Sequence, residues 1–419
     1  MTFPRLRAPQ DRLLRTLAAA TLVNCVGNGL FITVSTLFFT RVIGLSPAQV
    51  GLGLGVAGLF GVLAGVPLGR LADRWGSRRL LIALLALEGV AVLLYIQVSG
   101  FAMFVVLASV VTFLDRGSTA VRNTLVAASF TPEDRVRSRA FIRAVINAGI
   151  GAGCALAALA LQADRRQAYE LVVVADAVTF LVAAVLMRAV PEPEPELRAA
   201  EPGTRRRNPL TDAPYLLITV LNAVLCVQIA VLEFGLPLWI VRETSAPHVT
   251  VAAVLVINTL ICVLFQVRAG RGVTDVKKAA RVCRGSAFLL GAACLLFSGA
   301  AGHSTLAAVL LLLVGVVVQT VAELTSTAAS WALSYDLADP TCPGAYQGLF
   351  GAGQAAGILL GPALVAATAL QHGTAGWVVL AALFAAAGTA MVPATRLALR
   401  ATTGPGSMTS PASGLHDVA

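Results

Sequence analysis

Long apolar runs recur along the whole chain, and they constrain its fold more than any other feature. A helix that crosses a bilayer needs about 20 mainly apolar residues. Twelve runs meet this length, at residues 15–40, 48–71, 80–98, 101–126, 140–162, 169–189, 213–241, 248–267, 283–301, 304–334, 345–370 and 375–396. We number them helices 1 to 12. They predict an all-α integral membrane protein, because in hydrocarbon a helix satisfies its own backbone polar groups.

The composition agrees with a membrane protein. Hydrophobic residues make up 57% of the chain and charged residues 12%, whereas a soluble domain has about 25% charged residues. The net charge of +10 does not indicate nucleic acid as a partner, because the basic residues alternate with apolar runs and form no single patch. We therefore expect a lipid bilayer, and no nucleic acid, around this chain.

The basic residues also predict the orientation of the helices. Cytoplasmic segments of membrane proteins contain an excess of Lys and Arg. If both chain ends are cytoplasmic, most of the 31 basic residues fall in cytoplasmic segments. The opposite segments contain Arg41, Arg165, Arg166 and Arg242. We predict a multi-pass protein of the cell inner membrane with both termini in the cytoplasm.

A polar segment between helices 6 and 7 divides the helices into two sets of six. Pro and Glu alternate over residues 191–196, and residues 205–207 are three arginines. This segment has no apolar face to bury, so we expect a mobile linker. The predicted organisation is a tail at 1–14, a six-helix half at 15–190, the linker at 191–212, a second half at 213–396 and a tail at 397–419.

The most specific motif joins helices 2 and 3, where residues 69–79 read GRLADRWGSRR. It resembles the loop between helices 2 and 3 of the major facilitator superfamily, of the form G-x-L-A-D-R-x-G-x-[RK]-[RK]. The matching residues are Gly69, Leu71, Ala72, Asp73, Arg74, Gly76, Arg78 and Arg79. A looser copy of the motif follows helix 8 at residues 270–275, which supports an internal repeat.

The resemblance implies two pseudo-symmetric six-helix halves that rock about a central site, so that a small molecule crosses by alternating access. It places Asp73 beside the start of helix 11, where unpaired amides near Gly344 would attract its carboxylate. Spacings of four residues place several glycines of helices 2 and 11 on one face, which would allow close backbone approach. The implied gating loop comprises Gly69, Asp73, Arg74, Gly76, Arg78 and Arg79.

Polar residues recur on helices 1, 4, 7 and 10, which line the central cavity in this family. An ionisable side chain at membrane depth is costly and usually faces a cavity or a partner. The candidates for the substrate and proton pathway are Asn24, Asn28, Asp115, Arg116, Arg122, Asn222, Glu233, Gln319 and Glu323. Arg116 falls where the family's helix-4 motif has its arginine. We expect Arg116 and Arg122 to set the charge preference for substrate.

Two further acids, Glu88 and Asp176, lie on helices 3 and 6, and we expect a structural role for them first. For proton transport we favour Glu323, followed by Glu233. A proton carrier must titrate near neutral pH, and a fixed cation beside a carboxylate opposes this. Asp115 has such cations nearby, whereas helices 7 to 12 contain no basic residue in their cores.

The expected function is export of small molecules by proton-coupled antiport, as in the drug/proton antiporter branch of the family. Two alternatives stay open: a substrate-specific importer, acting as a symporter or uniporter, and a non-transporting membrane sensor or scaffold. We expect no enzyme, because the sequence shows no P-loop and no nucleophile–base constellation. The seven scattered cysteines indicate neither a cofactor nor a metal site. We expect a monomer whose partners are a small-molecule substrate, protons and the bilayer.

Overall fold

The structure is a computed structural model that describes residues 8–163, 165–191, 208–269 and 275–402. Over these ranges the chain is almost entirely helical and contains no sheet. The acidic and arginine-rich parts of the predicted linker, at 192–207, and most of the second motif copy, at 270–274, lie outside the described residues. The same is true of residues 1–7 and 403–419 in the two predicted tails.

The first six helices follow the predicted spans in order. Their bounds are α1 Ala8–Leu37, α2 Pro47–Trp75, α3 Ser77–Leu93, α4 Phe101–Ser129, α5 Pro132–Ala163 and α6 Arg166–Met187. A π-helical turn extends α1 over Phe38–Val42, and a 3-10 turn extends α3 over Leu94–Gln97. Several helices are longer than predicted because hydropathy marks only their apolar part. For example, the first turns of α5 contain arginines and an aspartate.

Within the described residues, the second six helices contain two π-helical turns, one at the end of helix 11, Ala366–Leu370, and one within helix 7. The α-helical hydrogen-bond pattern of helix 7 is interrupted by the π-helical turn at Val231–Gly235. Pro237 follows this turn and has no N–H to donate to the preceding turn, which favours such a wide turn. The bounds are α7 Ala213–Cys226, Gln228–Ala230 and Leu236–Glu243, α8 Val249–Ala269, α9 Val276–Gly299, α10 Thr305–Asp336, α11 Pro343–Val365 and α12 Gln371–Thr402.

The described residues contain eleven apolar stretches long enough to cross a membrane, and the last of them contains two crossings. This stretch, Pro343–Arg400, has 58 residues, or about 87 Å of helix, against a hydrocarbon thickness of about 30 Å. Gly373 breaks it with φ 56° and ψ −133°, a conformation that glycine adopts readily. The predicted number of twelve membrane helices is therefore confirmed.

The two sets of six helices pack in equivalent ways. The contacts α1–α5, α2–α4 and α3–α6 in the first half correspond to α7–α11, α8–α10 and α9–α12 in the second. Each half has its own hydrophobic core. Apolar side chains such as Leu171, Leu264 and Leu306 are more than 60% exposed, as expected for helices that contact lipid. These features confirm the predicted fold of two pseudo-symmetric halves.

The closest contact between the halves joins α2 to α11. A Cβ atom added to Gly65 would overlap the carbonyl oxygen of Gly348, and one added to Gly69 would overlap that of Gly344. Only glycine therefore permits this approach of the two backbones. The contact lies near residues 69–79, and we call this end of the bundle the loop end and the opposite one the far end.

Towards the far end, α2 and α11 separate. Gly51, Gly55 and Gly58 continue the face of α2 that contains Gly65, since they are spaced by three or four residues. A Cβ at Gly58 would contact Leu359 of α11, but nothing lies within 4 Å of one at Gly55 or Gly51. The two halves thus meet at the loop end and diverge beyond Gly58.

This geometry predicts that Gly65→Val opens the loop end. The added side chain overpacks the contact by about 1–3 kcal/mol, which shifts the equilibrium between states roughly 5- to 150-fold. We expect faster labelling of a cysteine at Ser330 by an impermeant thiol reagent supplied at the loop end, in a background without the native cysteines. Gly55→Val, in the same helix but beside open space, is the matched control. Equal labelling rates in both variants would contradict the proposed contact.

Candidate functional site

A cavity of about 310 Å³ lies between the two halves. Helices α1, α4 and α5 line it from the first half, and α7, α8, α10 and α11 line it from the second. The volume suits a small molecule, since ligand pockets measure about 300–1,000 Å³. A cavity built from both halves changes shape whenever the halves move relative to each other.

Most of the predicted pathway residues lie on this cavity. They are Asn24, Asn28, Asp115, Arg116, Arg122, Asn222 and Glu323. The structure thus brings together polar residues from α1, α4, α7 and α10, which are far apart in sequence. Their roles in transport stay predictions.

Two predicted pathway residues are not on the cavity. Gln319 is 2% exposed, and its Nε2 donates a hydrogen bond to the carbonyl oxygen of Gln228 at 2.9 Å. At this depth α7 covers the face of α10 that we expected to be open. Glu233 is exposed and lies in the π-helical turn of α7. That turn changes the helical register on which the predicted polar face of helix 7 depended.

The structure adds lining residues that the sequence analysis did not assign to the site. They are Arg139 and Arg143 of α5, Gln266 of α8, Trp331 of α10 and Gln354 of α11. We had not expected α5 or α8 to line the cavity. For Arg143 the sequence does contain a signal, because it is an ionisable residue inside an apolar run.

The charged groups of the cavity differ in their local partners. Arg116 Nε lies 3.6 Å from Asp115 Oδ2, so these neighbours form an ion pair. Glu323 Oε2 accepts a hydrogen bond from Asn258 Nδ2 at 3.1 Å. In the described part of the chain, Arg122 and Arg143 form no hydrogen bond and no ion pair.

Glu88 and Asp176 lie away from the cavity. Glu88 is 2% exposed and accepts a hydrogen bond from Ser118 Oγ at 3.4 Å. Asp176 is 1% exposed and packs against Gly27 of α1. Neither carboxylate oxygen of Asp176 has a hydrogen-bond partner among the described residues. Their location behind α1 and α4 agrees with the structural role that we expect first for both.

The motif at residues 69–79 is mostly helical rather than a loop. Gly69 and Asp73 belong to the last turns of α2, and Ser77 begins α3. Gly76 alone forms the turn, with a φ of +88° that side chains larger than glycine rarely adopt. Of the other residues in the predicted gating loop, Arg74 and Arg79 are exposed and Arg78 is half-buried.

Asp73 joins the two halves at the loop end. Its Oδ1 accepts a hydrogen bond from Gly344 N at 2.7 Å, and its Oδ2 accepts one from Ala345 N at 2.9 Å. These amides belong to the first turn of α11, where backbone N–H groups have no partner within the helix and the helix dipole attracts an anion. The carboxylate therefore lies at the position that the family resemblance implied.

A second contact between the halves closes the loop end beneath the cavity. Arg139 Nη1 of α5 donates a hydrogen bond to Tyr335 Oη of α10 at 2.8 Å. Its guanidinium also lies 5.0 Å from the ring centroid of Trp331, a cation–π contact of about 0.5–2 kcal/mol. Trp331 and Tyr335 pack into the core of the first half although they belong to the second.

Two pseudo-symmetric halves in a membrane, with a shared cavity closed at one end, define a membrane transporter. The family model described as Major Facilitator Superfamily matches residues 17–362. The chain therefore belongs to the major facilitator superfamily. Comparison with curated proteins finds no match.

Solved structures share the fold at low sequence identity. The human organic anion transporter MFSD10 is 16% identical, with a TM-score of 0.69 over 92% of this chain and 100% of that chain. A bacterial homologue of the iron transporter ferroportin, in an outward-facing state with soaked iron, is 13% identical, with a TM-score of 0.71 over 94% and 100%. The nucleoside transporter NupG is 13% identical, with a TM-score of 0.54 over 92% and 99%.

We predict that Asp73→Asn destabilises the closed loop end without unfolding the chain. Asparagine offers one oxygen where two amides need acceptors, and it has no charge for the helix dipole. We expect a loss of about 1–2 kcal/mol. Labelling of a cysteine at Ser330 from the loop end should become roughly 5–30 times faster, and transport should fall.

Asp134→Asn is the matched control, because Asp134 is also at the loop end but accepts a hydrogen bond from Thr131 within the same half. It should leave labelling and transport unchanged. Wild-type labelling and transport in Asp73→Asn would show that its carboxylate does not hold the two halves together.

Proposed function

We propose that this chain is a secondary active transporter that exports small molecules by alternating access, driven by proton influx. The observation that carries the proposal is the cavity between the halves, which contains Glu323 at membrane depth and is closed at the loop end by contacts between the halves. A transported molecule needs a site that both halves share, and a coupling proton needs a group that titrates near that site.

The polar contacts that close the loop end are few, which supports alternation. Asp73 contributes two hydrogen bonds to α11, and Arg139 contributes one to Tyr335 with its cation–π contact. Each is worth about 1–3 kcal/mol. Differential binding of about 5.5 kcal/mol is enough to reverse a 99:1 population. Substrate and proton together can supply a shift of this size.

The surroundings of Glu323 support a role in coupling. Asn258 Nδ2 donates hydrogen bonds to both Glu323 Oε2 and Thr320 Oγ1. An amide has a donor and an acceptor, so after rotation it can serve either protonation state of the carboxyl group. Across the cavity, Arg143 of α5 lines the same space. If Arg143 pairs with Glu323 in one conformation only, movement of the halves changes how readily Glu323 holds a proton.

The similar structures do not select the substrate, because their names refer to organic anions, iron and nucleosides. The direction of transport is also open to test. Import by symport or uniport and a non-transporting sensor or scaffold each predict a different result in vesicles.

The test uses everted membrane vesicles that contain the full chain and three labelled probes: ³⁵S-benzenesulfonate, ¹⁴C-choline and ¹⁴C-mannitol. Their charges are fixed, so a pH gradient alone does not redistribute them. Export by proton antiport predicts that an acidic lumen drives accumulation of at least one probe. An importer would lose a preloaded probe under the same gradient, and a scaffold would move none.

Glu323→Gln tests the proton carrier, because glutamine preserves the hydrogen bond from Asn258 but cannot titrate. We expect gradient-driven accumulation to be lost while exchange of labelled for unlabelled probe persists. Glu233→Gln tests the second candidate in the same way. Glu170→Gln is the control, since Glu170 pairs with Arg166 on the surface. Full gradient-driven accumulation in Glu323→Gln would contradict the proposed coupling role.

A further inference from the structure

We propose that the cavity binds a small organic anion, whose carboxylate, sulfonate or phosphate group is held between Arg122 of α4 and Arg143 of α5. This inference rests on the proposed transport function and deepens it by naming the class of substrate. It follows from the charge balance of the cavity, from the partners of each charged group and from the remaining lining residues.

The charge balance of the cavity is positive. Four arginines line it against the two carboxylates of Asp115 and Glu323, a formal balance of +2. The arginines are Arg116, Arg122, Arg139 and Arg143. An excess of cations at membrane depth is unfavourable unless an anion compensates it. A transported anion would supply that compensation each time it occupied the cavity.

Two of the four arginines already have partners. Arg116 forms an ion pair with Asp115, and Arg139 bonds Tyr335 and stacks on Trp331 at the loop end. The acid Glu323 is bonded to a neutral amide, that of Asn258. No comparable contact involves Arg122 or Arg143 within the described ranges. These two guanidinium groups therefore retain their hydrogen-bonding capacity.

Arg122, Arg143 and Cys25 of α1 all line the cavity. Both guanidinium groups lie within electrostatic range of the Cys25 thiol, so the two arginines face the same region. Two guanidinium groups around one position match the two or three oxygens of a carboxylate, sulfonate or phosphate group, because each can donate two parallel hydrogen bonds. Asn24 and Asn28, one and three residues from Cys25, also line this region and can donate further hydrogen bonds.

Several acids of the described ranges lie near these two arginines, but none of them takes the place of an anionic ligand by pairing with either one. Glu88 and Asp115 influence the same region as Arg122, and Glu233 and Glu323 lie near Arg143. Among the described residues, however, none of the four forms an ion pair with Arg122 or Arg143. If these acids alone balance the two arginines, the cavity will show no preference for anions. The binding experiment below distinguishes these cases.

The rest of the lining indicates an organic anion rather than an inorganic one. Its apolar surface includes Ile142, Ile146 and Ile150 of α5, Ile229 of α7 and Ile358 of α11. An apolar substituent would bury its surface against these side chains. The volume of about 310 Å³ limits the ligand to a small molecule of one or two rings or an equivalent chain.

The test measures binding to the purified full-length chain in detergent, so it does not depend on transport. Ligands are benzenesulfonate, phenylphosphate and benzoate, with benzylamine and benzamide as a cation and a neutral molecule of similar shape. We expect the three anions to raise the thermal unfolding midpoint saturably, because a ligand that binds only the folded state stabilises it. Benzylamine and benzamide should leave the midpoint unchanged.

Arg122→Gln and Arg143→Gln should each weaken anion binding at least tenfold. Arg143→Lys should retain part of the affinity, because it preserves the charge without the paired donors. Arg166→Gln is the control, since Arg166 lies on the surface and pairs with Glu170. If an arginine variant does not fold, equilibrium binding of ³⁵S-benzenesulfonate to the unaltered chain, in competition with the same ligands, tests the preference directly.

Three results would overturn the proposal: no anion binds, benzylamine binds as tightly as benzoate, or both glutamine variants bind anions with unchanged affinity. Failure of this proposal is separable from failure of the proposed function. A chain that moves choline or mannitol under a pH gradient but binds no anion is a transporter of another substrate class. A chain that binds anions but moves none of the vesicle probes has the anion site without the proposed transport.

Discussion

The contact between α2 and α11 at the loop end is the interaction on which the rest of the structure depends. Gly65 and Gly69 bring the backbones of the two halves together, and this approach places Asp73 at the first amides of α11. Because the halves meet here and separate beyond Gly58, the cavity between them is closed towards residues 69–79. The closure of the loop end and the shape of the cavity therefore both depend on the contact between α2 and α11. Any movement of the two halves relative to each other must change this contact.

The charged residues that line the cavity determine the energetics of transport through it. A transported anion would sit among arginines that otherwise lack anionic partners, so its binding and the state of Glu323 would be coupled through Arg143. Export of an anion from a cell with a negative interior is favoured by about 2.3 kcal/mol per charge at 100 mV. Proton influx moves charge in the same favourable direction. An exporter of this kind would therefore use both the membrane potential and the pH gradient.

Hydropathy was sufficient for the number and order of the membrane helices, because about 20 apolar residues have few alternatives to a membrane-spanning helix. The position of Asp73 followed from the family resemblance. Hydropathy carries no information on the wide turn in α7, so it could not show that Glu233 lies outside the lining of the cavity. The burial of Gln319 against α7 could not be predicted, because helical periodicity defines a face but not the neighbour that covers it. The lining role of Arg143 depends on how α5 packs across the two halves, which is a tertiary property.

A reversible covalent bond between the halves tests alternating access most directly. A Cβ at Gly58 lies 3.6 Å from Leu359 Cγ, the atom whose place a cysteine sulfur would take, so we choose cysteines at these two positions to form a disulfide. The measurement is transport by Gly58→Cys/Leu359→Cys, without the native cysteines, before oxidation, after oxidation and after reduction. The account predicts that oxidation abolishes transport and that reduction restores it. Undiminished transport by fully cross-linked protein would contradict it.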